Sequence, residues 1–338
     1  MLSRKILFST ILGDRSRWRF FIILVFAVCA FCGILLSLRV GSLAISVNDI
    51  VSAILSDNSG ANRQVIWNIR LPRTLVGALV GINLSLAGAI LQGVMKNPLA
   101  DPHIIGVSSG AGLAGVSIMV LFPHKEYLVT PVAFMGAMVA AVFIYILAWK
   151  GGIRPVRIIL AGVAVSAFLN SAISALLVFY SDRVHGALMW MVGGLSARSW
   201  PHLDIILPYT ILGGTLAILG ARRLNILNLG DEIARGLGLN VEVSRIAMTA
   251  VAALLAASAV SVVGLLGFVG LIVPHAARLL VGSDYRYLLP ASALLGVAVV
   301  TLSDTLARVL FSPIEIPVGI IMAFIGAPFF LYLLRRDA

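Results

Sequence analysis

Uncharged apolar stretches long enough to cross a bilayer recur along this chain, and they restrict its fold more than any other feature. They occupy approximately residues 20–38, 74–95, 105–122, 127–149, 158–181, 203–221, 287–303 and 316–334. Roughly 20 consecutive apolar residues in a helix span the hydrocarbon core. Composition agrees, since 60% of the residues are hydrophobic and only 12% charged. A soluble domain carries about a quarter charged residues and could not build a water-facing surface from so few. The expected fold is an all-α polytopic membrane protein, a single transmembrane domain over residues 1–338. Arg4, Lys5, Arg15, Arg17 and Arg19 precede the run from Phe20 to Leu38, which exceeds the apolar core of a cleaved signal peptide. It reads as a retained first span behind a short N-terminal tail, 1–19.

The stretch 246–277, between Arg245 and Arg278, is long for one crossing and short for two. Gly264, Gly267 and Gly270 in its middle permit a tight turn. Two crossings here give ten spans and place both termini on one side. That side then collects most of the 25 Lys and Arg, among them Lys96, Lys150, Arg154, Arg157, Arg222, Arg223, Arg235, Arg245, Arg278, Arg286, Arg335 and Arg336. The other side keeps Arg39, Arg63, Arg70, Arg73, Lys125, Arg183, Arg198 and Arg308. Positive charge accumulates on the cytoplasmic side. Ten transmembrane helices with both termini cytoplasmic are therefore expected, because a single crossing would move Arg278, Arg286 and the terminal arginines outside.

The same distribution accounts for the net charge of +11 without nucleic acid, since the basic residues sit mostly in loops between spans. Cys29 and Cys32 form a C-x-x-C, but inside the first span, where two small buried thiols are expected rather than a redox pair. The histidines (His103, His124, His185, His202 and His275) are scattered, with no pair at metal-ligand spacing. Neither H-E-x-x-H nor G-x-x-x-x-G-K-[ST] occurs. No catalytic residue, metal site or P-loop is thus expected on this chain. Span interiors almost lack ionisable groups, whereas ion-coupled carriers keep Asp, Glu or His at mid-membrane. Gly77-x-x-x-Gly81 and the cluster Gly106, Gly110, Gly112 and Gly115 suit close helix packing in lipid.

Polar sequence concentrates at span ends. Lys96-Asn97-Pro98-Leu99-Ala100-Asp101-Pro102 holds two prolines that stop helix propagation and fix an irregular turn, either a well-made loop or a constriction at the inner mouth of a pore. The run from Leu224 to Leu239 contains Gly230, then Asp231 and Glu232, then Gly236 and Gly238. Acidic residues suit a helix start and glycine its end. A short helix there, within a cytoplasmic segment 222–245, is a membrane-surface element or a docking surface. On the opposite side Arg70 and Arg73 share a helix face and have no acidic residue three or four positions away. Headgroup phosphates or an acidic partner are their expected takers. Arg308 has Asp304 one turn before it, so an intrahelical pair competes there.

These residues resemble a known family, the permease subunits of type II ABC importers for ferric siderophores, haem and cobalamin. The likeness is carried by Ile69-Arg70-Leu71-Pro72-Arg73, by Gly88 to Gln92 leading into Asn97-Pro-Leu-Ala-Asp-Pro102, and by Gly106-Val-Ser-Ser-Gly-Ala111. Leu160-Ala-Gly162, Trp190-Met-Val-Gly-Gly194, Gly230-Asp231 through Leu237-Gly238 and Gly267 to His275 extend it, as do Asp304 to Arg308, Pro317-Val-Gly319 and Gly326 to Phe330. Nearly the whole chain after residue 40 is covered.

The resemblance implies ten helices per subunit, a second permease subunit (in a homodimer, with a heterodimer left open), two cytoplasmic ATPases and a periplasmic or lipid-anchored binding protein, in a bacterial inner membrane. ATP and Mg would belong to the ATPases, with no cofactor on this chain. Arg70, Arg73 and Arg308 match positions that pair with acidic residues of the binding protein. Leu229, Gly230, Asp231, Glu232, Ala234, Leu237 and Gly238 match the coupling helix seated in an ATPase groove. Asn97 and Leu99 match the cytoplasmic gate, and the turn Arg154-Pro155-Val156 lies close to a second gate element. The implied activity is ATP-driven import by alternating access, with siderophore, haem and cobalamin all left open as cargo. A stand-alone secondary carrier and an intramembrane enzyme are the competing classes, and each lacks the ionisable groups it would need.

Overall fold

The computed structural model describes residues 2–41, 45–55, 61–150 and 155–337, and all regular structure among them is helical. Helix α1 (Leu2–Arg39) contains the first apolar run, and residues 2–19 continue the same helix. The segment before the second span holds two short helices, α2 (Val47–Leu55) and α3 (Ala61–Val65), then one π turn over Ile66–Arg70 that feeds directly into α4 (Leu71–Met95). Pro72 has no N–H for the carbonyl of Asn68, four residues back. The ladder therefore widens to a π turn across that point rather than breaking. Then come α5 (Val107–Leu121), α6 (Val129–Ala148), α7 (Pro155–Phe179), α8 (Val184–Val192) and α9 (Trp200–Asn228). The chain ends with α10 (Asp231–Gly236), α11 (Val241–Val263), α12 (Val269–Val281), α13 (Tyr285–Val309) and α14 (Val318–Asp337).

Seven helical stretches among the described residues are long and apolar enough to cross a membrane: 15–39, 63–95, 123–148, 155–179, 200–228, 241–263 and 285–309. Three shorter apolar helices, Val107–Leu121, Val269–Val281 and Val318–Tyr332, accompany them. The ambiguous stretch 246–277 divides where its glycines lie. Helix α11 stops at Val263, Gly264 takes φ +82°, and α12 begins at Val269. A side chain at Gly264 would also overlap the carbonyl of Trp190.

The windows of α4, α11 and α13 are mostly buried, whereas α1, α6, α7 and α9 keep most of their surface exposed. Around α4 the backbones touch. A β-carbon on Gly88 would overlap the carbonyl oxygen of Gly270 in α12, and one on Gly81 would overlap that of Gly296 in α13. Lipid supplies no hydrophobic drive between helices, so this close approach is what gives them contact. Two expectations change. Cys29 and Cys32 are exposed rather than buried, because α1 is a peripheral helix whose outer face is also apolar. Residues 222–228 are helical within α9, so only 229–240 form the link carrying α10.

Candidate functional site

The polar residues gather at the two ends of α4, and an α-helix of its 25 residues spans about 37 Å. At the first end Arg73 is held bidentately by Asp304: Nε donates to Oδ2 at 3.0 Å and Nη2 to Oδ1 at 2.9 Å. Its Nη1 donates to Glu315 Oε2 at 2.8 Å, and Ser196 donates to the same oxygen at 3.1 Å. Arg308 reaches Asp304 Oδ2 at 3.2 Å and donates through Nη2 to the Ser37 carbonyl and hydroxyl, and through Nη1 to the Val40 carbonyl. Arg70 Nη1 donates to the carbonyls of Leu38 at 2.9 Å and Arg39 at 3.0 Å. Leu38 and Arg39 end α1, where carbonyls that lack an intrahelical donor and the negative end of the helix dipole favour cations.

The side chains of Arg73, Asp304 and Arg308 are 9%, 3% and 5% exposed, and Glu315 is the open member at 43%. Burial raises the Glu315 carboxyl, but the Arg73 hydrogen bond and charge outweigh that and hold it below the usual carboxylate range. The structure thus brings all three sequence-singled arginines together. It also corrects the premise that Arg70 and Arg73 lack partners within the chain. Their partners lie far away in sequence, where a search at helical spacing does not reach.

At the other end Lys96 closes α4 in the left-handed region, at φ +51°. That conformation costs a residue with a β-carbon roughly 1–2 kcal/mol, and here it aims the lysine at Asp231, with Nζ 2.6 Å from Oδ1. Asn97 accepts from the Leu99 N–H at 2.9 Å, a turn closed by its own side chain. Asp101 caps the 3₁₀ turn Pro102–Ile105 by accepting from the His103 N–H. Gln92 in the last turns of α4 donates to the Leu271 carbonyl, tying this end to α12. Pro155 opens α7; Arg154 beside it lies outside the described residues.

Helix α10 starts and stops where its caps predict. Gly230 (φ +109°) precedes it, Asp231 and Glu232 fill its first turn, and Gly238 (φ +80°) follows it. Ala234 is its buried face, packed with Leu227 and Val241, while Leu229, Ile233 and Leu237 point outward as an exposed apolar stripe. Asp231 also accepts from Arg245 Nη2 at 2.7 Å. Burial raises the Asp231 carboxyl, but its hydrogen bonds to Lys96 and Arg245 and their charges leave it below the ordinary carboxylate value. Among the described residues no group of three or more His, Cys, Asp and Glu could hold a metal ion.

The pattern of the FecCD transport family matches residues 26–336, which include both ends of α4, α10 and the arginine cluster. The chain belongs to the FecCD transport family. It is 38% identical over 322 residues, 95% of this chain and 96% of the other, to the Fe(3+)-citrate import system permease protein YfmD of Bacillus subtilis (strain 168). It is 45% identical over 272 residues, 80% of this chain and 73% of the other, to the cobalamin import system permease protein BtuC of Halobacterium salinarum. Among solved structures it resembles one described as an inward-facing conformation of a metal-chelate type ABC transporter, with TM-score 0.83 and 29% identity over 93% of this chain and 99% of that one.

Sequence reasoning passed over one further junction of this FecCD chain. Asn225 near the end of α9 donates to Asp284 Oδ1 at 2.7 Å and accepts from the Tyr285 N–H at 2.9 Å. Asp284 caps α13 by accepting from the Arg286 N–H. The signal was an Asp immediately before a tyrosine-led helix start, a readable N-cap. Arg286 first, then Asn225, hold the Asp284 carboxyl down from 3.8 to about 2. A carboxyl depressed on folding adds stability above its unfolded pKa and loses it as pH falls through the folded value. Acid destabilisation between pH 3.8 and about 2 is therefore expected to flatten in Asp284→Asn. At neutral pH Asp284→Ala should lose about 1 kcal/mol of capping. Melting temperature in detergent across pH checks both, and an Asp284→Asn profile identical to the wild type would refute the assignment.

Proposed function

We propose that this FecCD family chain is the transmembrane subunit of an ATP-driven importer that carries an iron complex or cobalamin from a binding protein into the cytoplasm by alternating access. Helix α10 is the observation that carries the reading. It is a short capped helix projecting from the helical body with an exposed Leu229, Ile233 and Leu237 stripe, and an amphipathic helix of that kind seats in a groove of a partner. In this assignment Leu229, Gly230, Asp231, Glu232, Ala234, Leu237 and Gly238 form the ATPase coupling element. ATP and Mg are bound by the partner ATPases, and this chain performs no catalysis of its own. The named relatives are permeases for ferric citrate and for cobalamin, which supports cargo of those chemical classes.

The seven long and three shorter apolar helices together make ten crossings, and the charge asymmetry puts both termini and α10 in the cytoplasm of a bacterium. Asn97, Leu99 and Pro155 form the cytoplasmic gate. The exposed apolar residues Leu160, Val163 and Phe168 of α7 and Phe324 of α14 suit a second permease copy. The binding protein docks at the opposite end, where Arg70, Arg73 and Arg308 supply positive charge. Because Glu315 is the exposed carboxylate on Arg73, an acidic group of the binding protein exchanges with Glu315 there, while Arg70 and Arg308 act from behind as fixed charge that steers the encounter.

Co-purification with a cytoplasmic ATPase and vanadate-sensitive uptake in proteoliposomes are the expected results. Uptake by the purified chain alone, driven by an ion gradient, would overturn the assignment in favour of a secondary carrier.

A further inference from the structure

Three elements meet at one oxygen atom. Asp231 Oδ1 accepts from Lys96 Nζ at 2.6 Å and from Arg245 Nη2 at 2.7 Å, so it joins the first turn of α10, the C-terminal end of α4 and the start of α11. On the α4 side the turn is stiff. Asn97 N donates to the Gln92 carbonyl, Ala100 N to the Asn97 carbonyl, and Leu99 N to the Asn97 side chain. On the α10 side Ala234 is fully buried against Leu227 and Val241, a small apolar contact that fixes where α10 sits. The Arg245 side chain is 5% exposed and Lys96 is 32% exposed. Asp231 is therefore anchored from the protein side by Arg245 and extends its hold to the more exposed lysine.

We propose that Asp231 is a positioning residue that makes α10, the Lys96–Ala100 turn and the start of α11 move as one body, so that displacement of α10 reaches the turn without slack. Both roles, of α10 at an ATPase and of the turn at the gate, are those assigned under the proposed function, on which this step rests. A side chain that merely stabilised the fold would alter the amount of assembled complex. One that transmits displacement alters how much cargo crosses per ATP hydrolysed. Lys96 and Asp231 are one linkage in this account, so their neutralisations should not add.

The test uses the full complex with its ATPase and binding protein in proteoliposomes. ATP hydrolysis and uptake of radiolabelled ferric citrate or cobalamin, whichever the wild type imports, are measured in the same vesicles. Asp231→Asn is expected to lower uptake per ATP roughly fivefold, the effect of about 1 kcal/mol. Asp231→Glu should recover most of it, and Lys96→Gln/Asp231→Asn should be no worse than Asp231→Asn alone. In a background with Cys29→Ser and Cys32→Ser, since both native thiols are exposed, the pair Lys96→Cys/Asp231→Cys should be poorly coupled. A short bis-thiosulfonate bridge should restore coupling, and reductant should remove it again. An unchanged uptake-to-ATP ratio in Asp231→Asn, or a bridge that abolishes uptake, would overturn the linkage while leaving the importer assignment standing. Absence of ATP-dependent uptake in the wild type would instead overturn the importer assignment itself.

Discussion

Asp304→Ala is expected to destabilise the chain by about 3–5 kcal/mol, the loss seen when a buried ion pair is broken from one side. The reason is the number of charges stranded. Asp304 is the carboxylate shared by Arg73 and Arg308, and all three side chains are buried. Removing it leaves two guanidinium groups facing each other with Glu315 on one of them only. Glu315→Gln, by contrast, should cost about 0–1 kcal/mol, the usual worth of an exposed pair. A triple change, Arg73→Met with Asp304→Leu and Arg308→Met, should recover most of the loss, since apolar side chains of similar volume can replace a buried ionic cluster. Thermal unfolding of the detergent-solubilised protein measures all three. Wild-type stability in Asp304→Ala would show that the cluster is solvated and its burial misassigned.

The second large effect belongs to Gly88→Ala. The added methyl would overlap the carbonyl oxygen of Gly270, so α4 and α12 must part along a contact made of backbone. Overpacking of this kind costs about 1–3 kcal/mol, occasionally more. The loss should be accompanied by weaker attachment of α12, read as faster amide exchange in residues 269–281. Gly236→Ala is the matched control. Nothing lies within 4 Å of a β-carbon there, and its φ is not among the positive ones. The substitution should add up to about 1 kcal/mol of helix propensity. If both changes shift stability alike, the close approach of α4 and α12 is not what the glycine at 88 serves.

Most of the helices could be read from the chain because a bilayer leaves a coarse signature, a run of apolar residues bounded by charge. The break at Gly264 was legible for the same reason, and α10 because its caps are written as Gly230, Asp231 and Gly238. The two sides of a peripheral helix were not. Cys29 and Cys32 sit on an exposed face, and where both faces are apolar the helical period carries little information about burial. Nor were the ion clusters. Arg73 and Asp304 are 231 positions apart and Lys96 and Asp231 are 135 apart, while inspection at helical spacing sees three or four. For Arg73 that blindness shaped the functional expectation, since an arginine without a neighbouring acid looks as if it waits for a partner. Helices α2 and α8 escaped because they are too short to stand out against the apolar background.

That separation of 231 residues has a consequence for the order of events at the ribosome. Arg73 emerges and enters the membrane with α4 long before the carboxylate that neutralises it exists. At about 5–20 residues per second the delay is on the order of tens of seconds. Throughout it, the guanidinium must remain near the lipid–water boundary, which the first turns of α4 allow because a long side chain there can reach the interface. Had the same arginine stood at the middle of the span, each nascent chain would have had to hold an unneutralised charge in hydrocarbon until α13 arrived. Placing the cluster at the ends of α4 and α13 therefore makes the final bundle compatible with being built one helix at a time, with the ion pair as one of the last contacts to close.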